Sequence, residues 1–233
     1  MSVFVDEVIT CPHCEHSQVM KIANSVNAVR SPKLREEILE GSFQRPACAA
    51  CGERFEISDP FLYVDLKRQQ WIGVFPEELE DAWRSLEQEP LEAFKLSAGA
   101  QAPPMVQEMA AGAKVRAVFG LNALREKLLC DEAGLDDLTL ELLKVRLGLA
   151  PTGELLGTQN HIRLIDYTDQ GDLLFLVGGV YAEAEPSVHL IARSAYETIE
   201  GAPELWAELG EVLSQGPFVD VGRLMVAGDA PVL

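Results

Sequence analysis

The sequence ITCPHCEHSQ, residues 9–18, places Cys11 and Cys14 with two residues between them in a chain of 233 residues and five cysteines. A second stretch, PACAACGERF at residues 46–55, holds Cys48 and Cys51 at the same spacing. The two sulfurs of a Cys-x-x-Cys turn can approach one ion, and two such turns give a tetrahedron of thiolates, which suits zinc at about 2.3 Å per bond. The sequence therefore predicts one structural Zn²⁺ held by Cys11, Cys14, Cys48 and Cys51.

The residues around the cysteines favour this interpretation without removing its alternatives. Pro12 fixes φ in the first turn, and Gly52 can adopt the positive φ that closes the second. The Cys-Pro-His-Cys run also resembles the redox turn of thioredoxin-like enzymes, which lies between a strand and a helix. Here the residues after Cys14 are typical of a strand, and a single redox pair leaves Cys48 and Cys51 unexplained. A redox centre, an iron–sulfur site and unligated thiols remain as lesser alternatives.

Two histidines, His13 and His16, lie in or beside the first turn. A catalytic zinc keeps one coordination position open, whereas four cysteines close the shell. His16 could replace one cysteine as a ligand, but we expect both imidazoles to be solvated loop residues.

The 33 residues between the two pairs exceed the usual gap of a simple zinc ribbon, which is about 15–20 residues. The intervening run NAVRSPKLREEILEGSF predicts a short helix, with Ser31 as N-cap and Pro32 at the first position. Leu34 and Ile38 share one face of this helix, and Gly41 ends it.

The stretch from residue 11 to Pro76 resembles the CpXC domain, a bacterial family without an assigned activity. The resemblance covers roughly residues 8–78 and rests on CPHC, the SPKLR helix, CAAC and the DPFLY strand. It implies the same four cysteines as ligands. Ala49 follows Cys48 where proline is common in the family, a change that leaves the sulfurs intact.

Downstream of the second pair, RFEISD (54–59) and FLYVDLKRQQWIGVFP (61–76) predict strands around a DLKRQQ turn, packed through Tyr63, Trp71 and Phe75. The middle third predicts helices. Leu79, Trp83 and Leu86 mark the first, SAGAQAPP at 97–104 is a connection, and a helix pair follows, marked by Leu121, Leu124 and Leu128 and then by Leu138, Leu142 and Val145. Gly134 ends the first member of the pair, and Asp136 or Asp137 caps the second.

The remainder of the chain predicts a mixture of strands and helices without a βαβ rhythm. NHIRLIDYTDQGDLLFLVGGVYA (160–182) predicts two strands around TDQGD, and PELWAELGEVL (203–213) a helix. SVHLIARSAYETI (187–199) is ambiguous, and FVDVGRLMV (218–226) predicts a closing strand. The fold class is therefore α+β: a zinc-ribbon-like β unit with an inserted helix at 1–78, a helical segment at 79–150 and an α+β part at 151–233.

Few other residues suggest chemistry. Asp136, Asp137 and Glu141 could bind a cation or act as acid and base, but acidic residues in a first turn are also what the helix dipole favours. Cys130 is expected to be a small buried residue, and the isolated His161 and His189 to be structural. The motifs of nucleotide-binding loops, serine hydrolases and zinc proteases do not occur.

The charge of the chain is −18, and acidic residues outnumber basic ones in every third. Nucleic acids and anionic membranes attract basic surfaces, so neither is an expected partner. The N-terminus lacks the pattern of a secretory signal, and the longest uncharged apolar run has ten residues against the roughly 18 needed to span a bilayer. We expect a cytoplasmic protein with reduced cysteines.

These observations favour a zinc-binding protein-interaction or adaptor module with protein partners, of unassigned activity and unknown oligomeric state. An enzyme with a cleft between its N- and C-terminal parts is the alternative, and a nucleic-acid-binding zinc ribbon is third. The expected cofactor is one structural Zn²⁺ per chain.

Overall fold

The computed structural model describes residues 1–148, 160–179 and 185–224. The chain divides into two compact units, Met1–Leu124 and Arg125–Leu233. Residues of the predicted helical segment 79–150 occur in both units, and its predicted end at residue 150 lies outside the described residues. The three-part division stays a prediction, whereas the α+β class is confirmed by the helices and the two sheets.

The first unit is built on a five-stranded sheet in the order β1-β2-β3-β4-β5. Its strands are β1 (Val3–Thr10), β2 (Ser17–Asn27), β3 (Phe61–Asp65), β4 (Gln70–Phe75) and β5 (Lys114–Phe119). The β1–β2 and β3–β4 pairs are antiparallel hairpins, whereas β2 pairs with β3 and β4 with β5 in parallel. All six residues of β4 are buried, which identifies it as the centre of the core.

The predicted helix between the cysteine pairs is present as α1 (Pro32–Leu39), with Ser31 as N-cap and Gly41 at φ +72° directly after the C-cap. Ile38 is buried and Leu34 partly buried, as the pattern predicted. Because Gly41 takes the left-handed conformation, the chain leaves the helix within one residue. Phe43 then packs on Phe61 of β3 with ring centroids 5.5 Å apart, which ties the end of α1 to the sheet.

The aromatic residues predicted to pack do so: Tyr63, Trp71 and Phe75 are all buried. Trp71 donates its indole N–H to the carbonyl of Pro90 at 3.0 Å, so the polar end of its ring is satisfied inside the core. Gly73 lies beneath the same proline, where an added Cβ would come within 2.9 Å of Pro90 Cβ. Glycine at position 73 is therefore required for the segment that contains Pro90 to approach β4 this closely.

The middle segment contains the expected helices and one unpredicted strand. A 3₁₀ turn (Glu77–Ala82) leads into α2 (Trp83–Leu86), α3 (Glu89–Ala98) and α4 (Pro104–Ala110). Trp83 is buried, but Leu79 is 40% exposed, so the predicted apolar face is only partly used. The strand β5 follows α4 and completes the sheet.

The strand predicted at RFEISD, residues 54–59, is wrong. Only a single bridge, between Ala47 and Arg54, has strand character there. Phe55 and Ile57 are nevertheless buried, and their amides donate to the carbonyls of Pro46 and Gln44. The alternating pattern therefore reports burial correctly, while the backbone pairs irregularly across the second cysteine turn.

The second unit contains α5 (Leu121–Glu132, which begins in the first unit), α6 (Asp137–Gly148), α7 (Arg193–Glu200) and α8 (Ala207–Leu213). Its antiparallel sheet has the order β6-β7-β8, with strands at Asn160–Tyr167, Leu173–Gly179 and Ser187–Ile191. The hairpin around TDQGD and the helix in 203–213 are confirmed, the latter beginning as a 3₁₀ turn at Pro203. The ambiguous stretch at 187–199 forms β8 and then α7.

The closing strand predicted at 218–226 is wrong for the residues that are described. Residues Val221–Leu224 form a 3₁₀ turn, and residues 225 and 226 lie outside the described part of the chain. Asp220 accepts the amide of Gly222, and Arg223 donates to the carbonyl of Phe218. These side chains hold the backbone in a turn, so its apolar alternation does not extend into a strand.

Within the described residues, no helix has the length and apolar composition needed to cross a membrane.

Candidate metal centre

The two cysteine turns, residues 11–16 and 48–53, have the same backbone hydrogen bonds. In each, the amide of the first cysteine donates to the carbonyl five residues later, His16 or Glu53, at 2.9 Å. In each, the residue four positions after that cysteine donates back to its carbonyl, also at 2.9 Å. This fourth residue has positive φ in both turns, +78° at Gly52 as predicted and +60° at Glu15. The repeated spacing therefore encodes a repeated turn.

The turns bring all four predicted cysteines together. Cys11 Sγ lies 3.8 Å from Cys51 Sγ, and Cys14 Sγ lies 3.6 Å from Cys48 Sγ. All four sulfurs lie within 4.8 Å of one another. Four sulfurs bonded at about 2.3 Å to a tetrahedral ion are about 3.8 Å apart, so these separations match a shared metal. The cluster could therefore bind a metal ion.

The cluster lies half in the core. Cys11 and Cys48 are buried and pack with Ile22, Phe55 and Ile57, whereas Cys14 and Cys51 are exposed. Gln18, which follows the first cysteine turn, links it to the second turn, because its side-chain oxygen accepts the Ala49 amide at 2.8 Å. The sequence does not reveal this link, since it joins residues 31 apart and no local pattern marks it.

Close packing of four thiols makes their ionisation unequal. Hydrogen bonds from the amides of Cys51 and Ala50 lower the pKa of the Cys48 thiol to about 6. The pKa of Cys51 is raised to about 12, since desolvation and the other three sulfurs outweigh a backbone hydrogen bond at Glu53. Neighbouring thiolates repel one another, so a cation is required for all four to be charged together.

The other interpretations of the first turn find less support. His13 and His16 are both exposed, as expected of solvated loop residues. Among the described residues, the group that could hold a metal ion here consists of the four cysteines and includes neither histidine. Cys14 is followed by the antiparallel strand β2 rather than by a helix, so the helix N-terminus that activates a thioredoxin-like cysteine is missing here.

A second cluster of metal-ligand type occurs in the second unit, where Glu126, Glu141 and Asp220 bring carboxylate oxygens within 4.8 Å of one another. All three are buried, but cationic side chains already neutralise them. Lys144 lies 2.7 Å from Glu126 and 3.0 Å from Glu141, and Arg163 pairs with both Glu126 and Asp220. This buried charge network therefore holds its own cations.

Lys127 extends the network and joins it to the backbone. Its ammonium lies 3.2 Å from Glu141 and 3.5 Å from Asp137, and it donates to the carbonyl of Val219 at 2.6 Å. Glu126 also accepts the amide of Leu164, and Glu141 accepts the amide of Val221. The network thus connects α5 and α6 to β6 and the chain after α8.

Burial and pairing act in opposite directions on the acids of the network. Burial raises the pKa of Glu141, and the charges of Lys144 and Lys127 offset this only in part. At Asp220 burial also acts to raise the pKa, but Arg163, Lys144 and Lys127 hold it well below its usual range. Asp220 therefore remains ionised at neutral pH.

The lowered pKa of Asp220 predicts how its contribution to stability depends on pH. A depressed folded-state pKa stabilises the protein above the unfolded value, about 3.9, and this stabilisation is lost as pH falls towards the folded value. We expect Asp220→Asn to reduce the stability of the second unit at pH 7, with a difference from wild type that shrinks below about pH 4. Hydrogen exchange of α6 amides at a series of pH values measures this, and a pH-independent difference would contradict it.

The other residues considered in the sequence analysis lie outside the cysteine cluster. Asp136 caps α6, because its carboxylate accepts the amides of Leu138 and Thr139 at 3.1 Å. Asp137 and Glu141 belong to the buried network rather than to an open acid pair. Cys130 is 1% exposed, as expected, and burial raises the pKa of its thiol. His189 bonds the Ser187 hydroxyl at 2.8 Å, and the side chain of His161 lies outside what the structure describes.

The two lysines and the arginine of the network were not predicted from the sequence. Their one sequence signal is a lysine within an apolar helical face. Lys127 lies three residues after Leu124, and Lys144 four residues after Leu140, at positions where a core residue is expected. Lys144 and Glu141 are three residues apart on one helix, but the other ion pairs of the network join residues that are distant in the sequence, so the spacing could not identify them.

These features define an α+β protein with a four-cysteine cluster suited to a metal ion. The chain belongs to the CpXC family: the family model, described as CpXC protein, matches residues 9–144. The match extends beyond the region of resemblance noted from the motifs, through β5 and α5 and into α6. No curated protein and no solved structure matches the chain.

Proposed function

We propose that this protein is a zinc-stabilised protein-interaction module, in which Cys11, Cys14, Cys48 and Cys51 hold one structural Zn²⁺. The observation that carries the metal assignment is the set of sulfur separations, which match a tetrahedral ion with four thiolate ligands. Zinc is favoured over other metals because four thiolates on two Cys-x-x-Cys turns are the usual donor set of structural zinc.

The closed donor set determines what the ion can do. Four thiolates leave no coordination position for water, so the ion supplies folding energy rather than a nucleophile or a Lewis acid. The ion would join the hairpin β1–β2 to the second turn and the buried residues beneath it.

The interaction role is supported by the surface of the β1–β2 hairpin. Five apolar side chains are exposed there at 38–69%: Val3, Phe4, Val5, Val8 and Val19. Isolated exposed apolar residues are ordinary, but Val8 and Val19 lie directly opposite each other on one face of the hairpin, and neighbouring exposed apolar residues favour a surface that a partner covers.

Metal analysis tests the first half of the proposal. Protein purified without added zinc is expected to contain one zinc per chain by plasma mass spectrometry, and chelation should expose four additional reactive thiols. Cys130, which is buried outside the cluster, should stay unreactive before and after chelation and serves as the internal control. Folded protein that lacks metal and reacts at all four cysteines would contradict the assignment.

Binding-partner capture tests the second half. Immobilised wild-type chain is expected to retain protein partners that the Cys51→Ser variant loses, while an Ala50→Ser control keeps them. Ala50 lies in the same turn and is exposed, so this control adds a hydroxyl without removing a sulfur. Equal capture by all three chains would show that the metal site does not support an interaction surface.

A further inference from the structure

The strand β1 forms an edge of the five-stranded sheet, and it is unusually open for an edge strand. Seven of its eight residues are exposed, with Ile9 as the exception. Long edge strands with apolar side chains are ready templates for another strand, and native proteins normally shorten, twist or cover them. Among the described residues, only β2 pairs with β1.

The register shows which backbone groups of β1 face outward. Cys11 donates to the carbonyl of His16, which makes this a hydrogen-bonded pair of the hairpin. Hydrogen-bonded and non-hydrogen-bonded pairs alternate along an antiparallel ladder. The same register holds from Phe4 to Thr10, so the N–H and C=O groups of Phe4, Asp6, Val8 and Thr10 point away from β2. Four residues of main chain are therefore available to an added strand.

The side chains of β1 specify the chemistry of that strand. Apolar residues Phe4, Val5 and Val8 are exposed, and between them lie the exposed acids Asp6 and Glu7. Directly opposed residues on paired strands have Cβ atoms about 4.5–5.5 Å apart, and opposite charges there stabilise the pair. A complementary strand has apolar residues opposite Phe4, Val5 and Val8 and basic residues opposite Asp6 and Glu7.

A second copy of the chain does not satisfy this pattern. Two β1 strands paired antiparallel about a two-fold axis near their centre place Asp6 opposite Asp6 or Glu7 opposite Glu7, because outward-facing residues pair only with outward-facing ones. Each arrangement opposes like charges, which destabilises strand pairing. Asp6 forms an exposed ion pair with Lys21 at 3.5 Å, and Lys21 lies on β2 rather than across the edge.

We propose that the outer edge of β1 binds an extended peptide segment as an added strand, with two adjacent basic residues of the segment opposite Asp6 and Glu7 and apolar residues on either side. This inference deepens the proposed interaction function and rests on it. Main-chain hydrogen bonds to the four outward residues give affinity, and the acidic pair gives the preference for a basic segment. The net charge of −18 adds a long-range attraction for the same segment.

The test uses the full zinc-loaded chain and a labelled synthetic peptide, Ser-Val-Val-Lys-Arg-Val-Thr-Ser, followed by fluorescence anisotropy. Val8→Pro removes an outward N–H without removing a bond to β2, and proline is tolerated at such edge positions. Val8→Thr is the matched control, because threonine keeps both the N–H and the branched Cβ. We expect Val8→Pro to weaken peptide binding by about tenfold or more, and Val8→Thr to leave it nearly unchanged.

A second peptide, with Glu-Asp in place of Lys-Arg, tests the charge preference. It is expected to bind more weakly than the Lys-Arg peptide by about tenfold or more. Added salt should weaken the Lys-Arg peptide, since these charges are exposed. The inference is overturned if the Lys-Arg peptide does not bind, if Val8→Pro binds it as wild type does, or if the two peptides bind equally.

Light scattering on the same samples tests whether a second copy of the chain occupies the edge of β1 instead of a peptide. A wild-type dimer that Val8→Pro converts to a monomer would show that a second copy covers the edge, which also overturns the inference. Zinc content, measured for every variant, separates the two proposals. If Val8→Pro retains its zinc and still captures partners, the proposed edge site is wrong, whereas the proposal of a zinc-stabilised interaction module stands.

Discussion

Replacing Cys51 with serine is expected to release the metal and to unfold the part of the first unit that surrounds it. Structural-zinc binding energy is folding energy, on the order of 10 kcal/mol or more in zinc-finger peptides. Cys51 is exposed, so its replacement leaves no cavity in the core, and the expected loss comes from the metal. We expect rapid amide exchange in residues 8–22 and 44–57, the segments that form the two turns and the packed residues beneath them.

The rest of the chain should retain slow exchange in this variant. The strands β3, β4 and β5 pair with one another, and Trp71 and Phe75 pack against Phe94 and Phe119 rather than against the sulfurs. Ala50→Ser, one residue away, should keep both its zinc and its slow exchange. Unchanged exchange throughout the Cys51→Ser chain, with metal lost, would show that the ion does not stabilise the fold.

Replacing Lys144 with methionine is expected to destabilise the second unit by about 3–5 kcal/mol. Lys144 is 1% exposed and neutralises Glu126 and Glu141, which are fully buried. Removing one partner of a buried pair leaves an uncompensated charge, and this costs more than the pair itself contributes. Exchange of the slowest amides of α6 measures the free energy of opening of this unit.

Two controls separate the charge effect from loss of packing. Arg146→Met removes a cation from an exposed position of the same helix and should change stability by no more than about 0.5 kcal/mol. Adding Glu126→Gln to Lys144→Met should restore part of the lost stability, because the remaining cations Lys127 and Arg163 then have one carboxylate fewer to neutralise. A loss under about 1 kcal/mol in Lys144→Met would mean that the network contributes little to the stability of this unit.

The sequence predicted that the four cysteines come together, and it could do so because the information for each turn is local. Each turn is encoded within six residues by two cysteines and a position that takes positive φ, and the two turns meet through their sulfurs. Pro32 and Gly41 likewise define the two ends of α1 by rules that act within one helical turn, while Ser31 occupies the N-cap position without a side-chain hydrogen bond to the helix. Such features depend little on the rest of the fold.

The failures concern residues whose conformation is decided by distant partners. Lys114–Phe119 forms β5 because it pairs in parallel with β4, which lies more than 35 residues earlier in the chain. Residues 218–224 follow the side chains of Asp220 and Arg223 rather than their apolar alternation. The buried charge network brings together α5, α6, β6 and Asp220, so no window of sequence contains it.

X-ray absorption at the zinc edge of the purified chain tests the central claim most directly, because it counts and identifies the atoms bonded to the metal. Four thiolates in a closed shell predict about four sulfur neighbours at about 2.3 Å and no nitrogen or oxygen neighbour at about 2.0–2.1 Å. The same spectrum is expected for Val8→Pro and Ala50→Ser. A shell with three sulfurs and one nitrogen or oxygen would contradict the claim, since it would place His16 or water on the ion and open the site to chemistry.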